Sequence, residues 1–426
     1  MKLMKFAAIA AAGMMTAAPA LADLVIPTLN YRTGPYAPNG IPTADGFSDY
    51  LTYVNTQGGV GGEMLREVEC ETAYNTEKGV ECYEALKGEG LIFIPQSTGI
   101  TYQLIPKVTA DGIPLMTPGY GRTSAKNGKI FEWVFNPPGT YWDVASALVT
   151  YVMDKEGGSL EGKKIALVYH NSAYGKEPIR TLEELSKKHN FELSTLAVDH
   201  PGQEQKSQWL QIRRERPDYV FMWGWGVMNQ VAIQEAANIR FPMENFIGVW
   251  WSGSENDVTP AGDAATGYKS ATWHAAGSDF PLIEAIQENV IDAGKAAGDG
   301  TKIGEVLYNR GVYIAAVLVE AIRTAQEMTG KSDITPADLR DGLENLNITE
   351  ERWTEIGLPN FTSPVKLSCA VHSDPGLVAV QRWDAGTKAW SLVSDFIEPD
   401  REIIDALIAA DSEAFASEAG ITPRDC

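Results

Sequence analysis

The segment KKIALVYHNSAYGKEPIRTLEELSKKH, residues 163–189, contains the unit from which the fold is built. Residues 163–171 form a short apolar run rich in aliphatic side chains, which predicts a buried strand. After a glycine-bearing loop, apolar residues recur at helical spacing over residues 174–189, which predicts an amphipathic helix. A strand followed directly by a helix is the repeating unit of parallel α/β sheets.

The same order of strand and helix recurs on both sides of this segment. On its N-terminal side, strands are predicted at residues 24–32, 66–70, 91–95 and 113–118, and helices at 44–57, 76–88 and 100–110. On its C-terminal side, strands are predicted at 191–199, 218–226 and 246–253, and helices at 209–219, 229–239, 281–294 and 312–328. An antiparallel hairpin is predicted around the turn DAGTK, residues 384–388. Because 426 residues exceed one core of ordinary size, two α/β lobes are expected.

The first residues indicate the compartment. Two lysines, Lys2 and Lys5, precede an apolar run that ends in the small-residue sequence Ala20-Leu21-Ala22. This pattern predicts a secretory signal peptide that is cleaved after Ala22, and its short, alanine-rich style favours the periplasm. Loss of the two lysines takes the formal net charge from −21 to −23. Such an acidic protein is not expected to bind nucleic acid or an anionic membrane surface.

The sequence has four cysteines, at positions 70, 82, 369 and 426. An even number in an oxidising compartment predicts two disulfides, and three pairings are possible. We favour Cys70–Cys82 and Cys369–Cys426. No CxxC pair is present and the five histidines are scattered, so no metal site is expected.

Ligands of open parallel sheets bind at the carboxyl ends of the strands, where the connecting loops meet. Six loops follow predicted strands here: residues 33–40, 95–101, 118–124, 170–175, 223–229 and 250–257. Alternation along a strand predicts that Trp223 and Trp225 share one face. The adjacent Trp250 and Trp251 should point to opposite sides, so at most one of them is expected in the cleft and the other in the core. The signatures G-x-S-x-G, H-E-x-x-H and the P-loop do not occur, so no catalytic function is expected.

The segments RTGPYA, IPQSTG, IPLMTPGYG, IALVYHNSAYGKE, DYVFMWGWG and FIGVW occur in this order along the chain. In that order they resemble the type I periplasmic binding proteins, in particular the branched-chain amino acid (leucine/isoleucine/valine)-binding proteins of ABC importers. The resemblance implies two Rossmann-like lobes joined by three crossover segments, with the ligand in the cleft between them. It implies a mostly monomeric protein without a cofactor, whose partners are a small molecule and a membrane permease. The expected domains are a signal peptide (1–22), lobe 1 (23–142 plus 274–355) and lobe 2 (143–273 plus 356–426).

The resemblance also implies which residues contact the ligand. In amino-acid binders of the family, the loop that matches Ser97, Thr98 and Gly99 holds a carboxylate, as does the loop that matches Gly119–Thr123. The two acidic positions that hold the ammonium align with Tyr141 and Trp250, although a shifted register would bring Asp143 or Glu255 there. The predicted ligand-binding residues are Ser97, Thr98, Gly99, Tyr120, Gly121, Arg122, Tyr141, Tyr174, Trp223, Trp225 and Trp250. Arg32 and Asn136 are further candidates.

Loss of the ammonium-binding acids changes the expected ligand. A buried ammonium without a counter-charge is costly, so an aromatic or apolar carboxylate is expected instead of an α-amino acid. The alternatives are a branched-chain amino acid, a quaternary ammonium ligand held by the aromatic rings, and a ligand-sensing subunit.

Overall fold

The computed structural model describes residues 23–426. The predicted signal peptide and its cleavage site therefore lie outside the described residues. No helix in the described part is both long and apolar enough to cross a membrane.

The first lobe is a parallel sheet covered by helices. Its elements are β1 (Leu24–Asn30), α1 (Ala37–Thr56), β2 (Leu65–Glu71), α2 (Thr76–Leu86), α3 (Thr98–Asp111), β3 (Leu115–Met116) and β4 (Val134–Phe135). β1 pairs in parallel with β2, and β3 with β4. Single parallel bridges from Ile94 to Thr28 and from Phe93 to Leu115 join the two pairs into one layer.

The second lobe begins with α4 and contains the larger sheet. Its elements are α4 (Tyr141–Lys155), β5 (Lys164–His170), α5 (Ala173–Lys176), α6 (Ile179–His189), β6 (Glu192–Val198), α7 (Lys206–Glu215), β7 (Tyr219–Trp223), α8 (Val227–Asn238), β8 (Phe246–Gly248), α9 (Glu255–Val258) and β9 (Lys269–Thr272). These five strands are parallel neighbours in the order β9-β8-β7-β5-β6. Their carboxyl ends therefore meet at one edge.

The rest of the chain returns to the first lobe and then to the second. Its elements are α10 (Pro281–Ile286), α11 (Val306–Thr329), α12 (Pro336–Glu344), β10 (Asn347–Ile348), α13 (Glu350–Ile356), β11 (Val365–Lys366), β12 (Ala379–Asp384), β13 (Ala389–Leu392) and α14 (Arg401–Ala419). α11 packs along α1 of the first lobe. β12 and β13 extend the second sheet to seven strands by antiparallel pairing.

Glycines let α1 and α11 pack closely. A Cβ on Gly46 would lie 2.0 Å from the carbonyl oxygen of Tyr308, and one on Gly311 would lie 2.1 Å from that of Thr43. No side chain fits at these separations. The contact buries most of α11, and it fixes the first residues of α1 beside the cleft.

The α/β class with two helix-covered sheets predicted from the sequence is confirmed, and the antiparallel hairpin around DAGTK is present as β12 and β13. Several boundaries differ from the predicted ones, among them the following three. α1 begins at Ala37, because Pro38 is tolerated in the first turn of a helix. The predicted helix over 174–189 is divided into α5 and α6 at Pro178, and the strand predicted over 246–253 ends at Gly248.

Both favoured disulfides are present. Cys70–Cys82 joins β2 to α2, and Cys369–Cys426 attaches the segment after α14 to the segment after β11. α14 itself lies against α6 of the second lobe and against residues 123–126 of the first. The predicted domain boundaries stay a prediction.

Candidate ligand-binding site

A cavity lies between the lobes, where the loops after the strands of both sheets meet. It has about 300 Å³ of space outside the atoms, including its opening. Its ten lining residues are Tyr31, Tyr74, Gln96, Ser97, Thr98, Tyr120, Tyr141, Tyr174, Trp225 and Trp251. Seven are aromatic and none carries a formal charge at neutral pH. The enclosed part of this space is narrow, so the cavity favours a compact ligand over an extended one.

The aromatic walls are supplied by residues that follow strands. Tyr31 comes directly after β1, and Trp225 comes two residues after β7. The rings pack edge to face, with centroids 4.8 Å apart for Tyr31 and Tyr74 and 5.4 Å apart for Trp225 and Trp251. Such pairs hold one another in place, so the walls are formed before a ligand enters.

The polar end of the cavity is the N-terminus of α3. Ser97 caps this helix and its hydroxyl accepts from the amide of Ile100 at 3.4 Å. As the first two helical residues, Thr98 and Gly99 have N–H groups that no carbonyl of α3 can accept. The hydroxyl of Thr98 accepts from the amide of Gly121 at 3.2 Å, so it is held in place. This end favours a negative charge.

Two further donors of the lining lack a partner among the described residues. They are the side-chain amide nitrogen of Gln96 and the indole nitrogen of Trp225, both buried. Gln96 has a left-handed backbone with φ of 46°, and its own amide N–H donates to the Tyr120 hydroxyl at 3.1 Å. The lining therefore offers hydrogen-bond donors that the protein leaves unused, which suits an acceptor group on the ligand.

Trp250 and Trp251 do not point to opposite sides as predicted. Both indole N–H groups donate to the carbonyl oxygen of Gly119 in the first lobe, each at 2.8 Å. The reason is that β8 ends at Gly248, so the two tryptophans stand in a turn where strand alternation does not apply. Trp251 lines the cavity, whereas Trp250 lies behind it.

The close approach of this turn depends on Gly119. Its φ is +71°, and a Cβ there would lie 2.5 Å from the ring of Trp273. Arg310 supports the same wall from behind: it donates to the carbonyl of Trp250, and its guanidinium lies 4.8 Å from the ring of Trp251. Both supports of this second-lobe wall therefore come from the first lobe, since Arg310 lies on α11.

The structure brings six of the predicted ligand-binding residues together in the lining: Ser97, Thr98, Tyr120, Tyr141, Tyr174 and Trp225. Gly99 and Gly121 do not line the cavity but lie next to residues that do: Gly99 follows Thr98 in α3, and the amide of Gly121 donates to the Thr98 hydroxyl. Trp223 is fully buried at the end of β7, in the same core cluster as Trp225, and it does not line the cavity.

Arg122 points away from the cavity. Its guanidinium lies 2.6 Å from the carboxylate of Asp411 and 4.6 Å from the ring of Phe415, both on α14. Arg32 is also engaged elsewhere, with Asp45 and Glu69. Asn136 is not part of the lining.

Neither acid that a shifted register would supply lines the cavity. Asp143 forms a capping box with Thr140 and pairs with Arg401. Glu255 accepts from the amide of Val306 at 3.1 Å, and burial raises the pKa of its carboxyl to about 7. An ammonium in this cavity would therefore have no lining carboxylate as a partner.

Sequence reasoning missed Tyr31, Tyr74, Gln96 and Trp251. Tyr31 and Tyr74 follow β1 and β2, so the rule that found the six loops could have found them. Gln96 belongs to one of the loops considered, and Trp251 was assigned to the core only because a strand was expected there.

Direct hydrogen bonds close the lobes around the cavity. The Tyr36 hydroxyl lies 2.7 Å from His170 Nε2 and 2.6 Å from His200 Nδ1. Asn39 donates to the carboxylate of Asp257 at 3.0 Å. Tyr36 and Asn39 belong to the first lobe, whereas His170, His200 and Asp257 belong to the second. These hydrogen bonds therefore exist only when the lobes are together.

Two interlobe groups have shifted pKa values. Burial lowers the pKa of His170 to about 4, with a smaller contribution from His200. Burial raises the pKa of the Glu177 carboxyl to about 7, although the hydroxyls of Tyr102 and Thr123 donate to it and act in the opposite direction.

Comparison with known proteins places these features in context. The sequence profile of periplasmic binding proteins matches residues 23–387. The Leu/Ile/Val-binding protein homolog 3 of Brucella melitensis is 27% identical over 163 residues, which are 38% of this chain and 43% of the relative. The match thus spans less than half the length of that curated relative.

Two solved structures extend the comparison to nearly the whole chain. A crystal structure described as an ABC transporter permease from the Pseudomonas fluorescens group is 41% identical, covers 95% of this chain and 99% of that chain, and has a TM-score of 0.87. An ABC transporter solute-binding protein from R. palustris, in complex with benzoate, is 19% identical, covers 88% and 97%, and has a TM-score of 0.70. The second likeness shows the fold alone.

Proposed function

Because the chain belongs to the periplasmic binding protein family, we propose that it captures a compact carboxylate with an aromatic or apolar body and delivers it to the permease of an ABC importer. It performs no chemistry on the ligand, in keeping with a family of binding proteins. The residues that line the cavity, together with the α3 N-terminus, are the ligand contacts of this proposal.

The observation that carries the proposal is the excess of unused donors in an uncharged cavity. The amides of Thr98 and Gly99, the Gln96 amide nitrogen and the Trp225 indole nitrogen are all available to an acceptor. A carboxylate offers about four lone-pair sites and can accept from all of them. A carboxylate that accepts several N–H bonds is stabilised without a cationic side chain.

The aromatic walls determine the rest of the ligand. Tyr141 and Tyr174 lie with ring centroids 5.3 Å apart on one side, and Trp225 and Trp251 form another. A flat ring or a short branched chain would fill the space between them. The fold is shared with a solute-binding protein that was solved with benzoate, so it is compatible with an aromatic acid.

An α-amino acid fits this cavity less well. Its ammonium needs acceptors, and the lining has no carboxylate to provide them. Burying an ammonium without such a partner costs several kcal/mol or is avoided by loss of the proton. We therefore expect leucine to bind at least tenfold more weakly than benzoate.

Titration calorimetry with benzoate, cinnamate, isovalerate and leucine tests the proposal. Thr98→Val keeps the shape of the side chain and removes its hydroxyl, and it should weaken benzoate binding about fivefold or more. Thr109→Val is the matched control, because Thr109 lies on the same helix and bonds only its own backbone turn, at Ile105. Binding of leucine without binding of any acid in the set would disprove the proposal.

A quaternary ammonium ligand is the second candidate. Five tyrosines and two tryptophans around an uncharged space resemble the aromatic cages that hold such cations by cation–π attraction. Choline and its neutral isostere 3,3-dimethyl-1-butanol distinguish the quaternary ammonium hypothesis from the carboxylate hypothesis. Tighter binding of choline than of the isostere would favour a quaternary ammonium ligand held by the aromatic rings. Equally weak binding of both would leave a carboxylate as the favoured ligand.

A sensing role uses the same site with a different partner. In that case the closed form would bind the periplasmic domain of a receptor in place of a permease. Crosslinking in cells followed by mass spectrometry identifies the partner, and recovery of a permease supports transport.

A further inference from the structure

A set of hydrogen bonds between the lobes lies at the rim of the cavity, around the side chain of Tyr36. Tyr36 is fully buried just before α1, and its ring lies 4.5 Å from that of Tyr74, which lines the cavity. Tyr36 itself is not part of the lining. Its hydroxyl stands between two histidines of the second lobe, 2.7 Å from His170 Nε2 and 2.6 Å from His200 Nδ1.

The hydroxyl can satisfy both histidines at once. Its single hydrogen is donated to one ring nitrogen, and its oxygen accepts the N–H of the other ring. The second nitrogen of His170 is engaged by the Ser172 hydroxyl at 2.8 Å, which orients the ring toward Tyr36. Both bonds are lost when the lobes separate, so they stabilise only the closed state.

Tyr74 lies between the cavity and Tyr36, and its loop is held in a fixed conformation. Ala73 and Tyr74 both have left-handed backbones, with φ of 50° and 60°. The loop is fixed by the bond from the Thr72 amide to the Asn30 carbonyl at 2.8 Å. The disulfide Cys70–Cys82 closes the chain around it. A ligand that packs on Tyr74 therefore contacts a residue that is held rigidly and that in turn supports the ring of Tyr36.

We propose that Tyr36 is a positioning residue that sets ligand affinity without touching the ligand: through Tyr74 it connects the occupied cavity to a latch, formed with His170 and His200, that holds the lobes closed. This inference rests on the proposed function only in that the cavity holds a ligand. It does not depend on which ligand that is.

The groups around the latch are few. His200 and Asp199 are the ionisable groups of the second lobe that act on His170, and Tyr36 is the one that faces it from the first lobe, with Tyr74 against the Tyr36 ring. Asn171 donates to the carboxylate of Asp199 at 2.7 Å and so engages that charge. Desolvation of His170 by the closed lobes lowers its pKa, which ties the protonation of this ring to closure.

Tyr36→Phe is the sharpest test, because it keeps the ring on Tyr74 and removes only the hydroxyl. Loss of two hydrogen bonds of ordinary strength should raise the dissociation constant for benzoate about tenfold, mainly through faster release. The factor should be the same for every acid that binds, since the latch does not contact the ligand. Tyr53→Phe, on the helix α1 that follows Tyr36, is the matched control and should bind as the parent does.

The His170 pKa gives a readout that a merely structural role would not change. Followed by NMR in the parent, it should fall when benzoate is added, because closure buries the ring. In Tyr36→Phe at the same benzoate concentration, the fall should be smaller. Equal benzoate affinities of Tyr36→Phe and the parent, or an unchanged His170 response, would overturn the latch.

Two measurements separate a failed latch from a failed ligand assignment. If benzoate does not bind the parent, the ligand proposal fails, and small-angle scattering of the ligand-free proteins tests the latch alone. A larger radius of gyration for Tyr36→Phe supports it, and equal radii count against it. If Tyr36→Phe does not fold, His200→Gln takes its place, since His200 lies at the surface and its loss removes one of the two bonds.

Discussion

Gly119→Ala tests the interlobe contact that fixes the second-lobe wall of the cavity. At a φ of +71°, alanine raises the free energy of the folded backbone by about 1–2 kcal/mol. The new Cβ would start 2.5 Å from the Trp273 ring, which must move by about 1 Å to reach ordinary contact. Trp273 packs against Trp250 with ring centroids 4.8 Å apart, so the movement is passed to the indoles that donate to Gly119.

The loss of these two hydrogen bonds is expected to affect closure more than folding. Each is worth about 1 kcal/mol, so the affinity for benzoate should fall roughly 10- to 100-fold. The free energy of unfolding should fall by about 1–2 kcal/mol from the backbone alone. Calorimetry measures the first quantity, and urea unfolding in the absence of ligand measures the second.

Gly157→Ala is the matched control. Gly157 has a similar φ of +76°, but a Cβ there meets nothing within 4 Å. It should lose the same unfolding free energy and keep full affinity. If the two variants bind benzoate equally well, the contact between Gly119 and the tryptophans does not support the cavity, and the reasoning is refuted.

Three further predictions concern pH, redox state and the C-terminal helix. Because the pKa of Glu177 is raised to about 7, its protonated form favours closure and this contribution is lost as the pH rises through about 7. The lowered pKa of His170 has the opposite effect, because protonation of this ring at acidic pH disfavours closure. Glu177→Gln keeps only the His170 effect, so it should bind benzoate more weakly at pH 5 than at pH 7, whereas the affinity of the parent should vary less. A parent and variant with the same pH profile would contradict this. Cys70→Ser with Cys82→Ser should weaken benzoate binding at least threefold while secondary structure, followed by circular dichroism, is retained; unchanged affinity would show that the disulfide does not position Tyr74. Arg122→Gln should reduce thermal stability slightly and leave the affinity within twofold, and a larger loss of affinity would return this residue to the site.

Local features of the sequence were sufficient to predict one side of the cavity. Ser97 and Thr98 form a helix start, and the capping hydroxyl and the free amides follow from neighbours in the chain. The rule that ligands meet strand ends pointed to the loops that carry Tyr120, Tyr174 and Trp225, and the family resemblance singled out the two tyrosines within those loops; all three residues line the cavity. The positions of the loops and of the helix start depend on spacings of a few residues, which a single sequence shows directly, whereas the choice of residues within the loops depends on the resemblance.

Other residues depend on contacts that no local pattern reveals. Arg122 stands in a loop at the cleft, but its direction is decided by Asp411, which is 289 residues away in the sequence. Trp251 replaced Trp250 in the lining because β8 ends early, at Gly248, where the Tyr268 hydroxyl occupies the space that a Cβ would need. α4 was missed because it is buried on nearly every face, so it lacks the polar stripe that marks a surface helix.

The shared carbonyl of Gly119 has a practical consequence. Two indoles that are dry in the closed protein become hydrated when the lobes part, and their emission should shift to longer wavelength. The protein therefore carries a built-in optical indicator of occupancy, which requires no attached dye. A variant with altered cavity walls could serve as a reagentless biosensor for whichever small acid it is adapted to recognise.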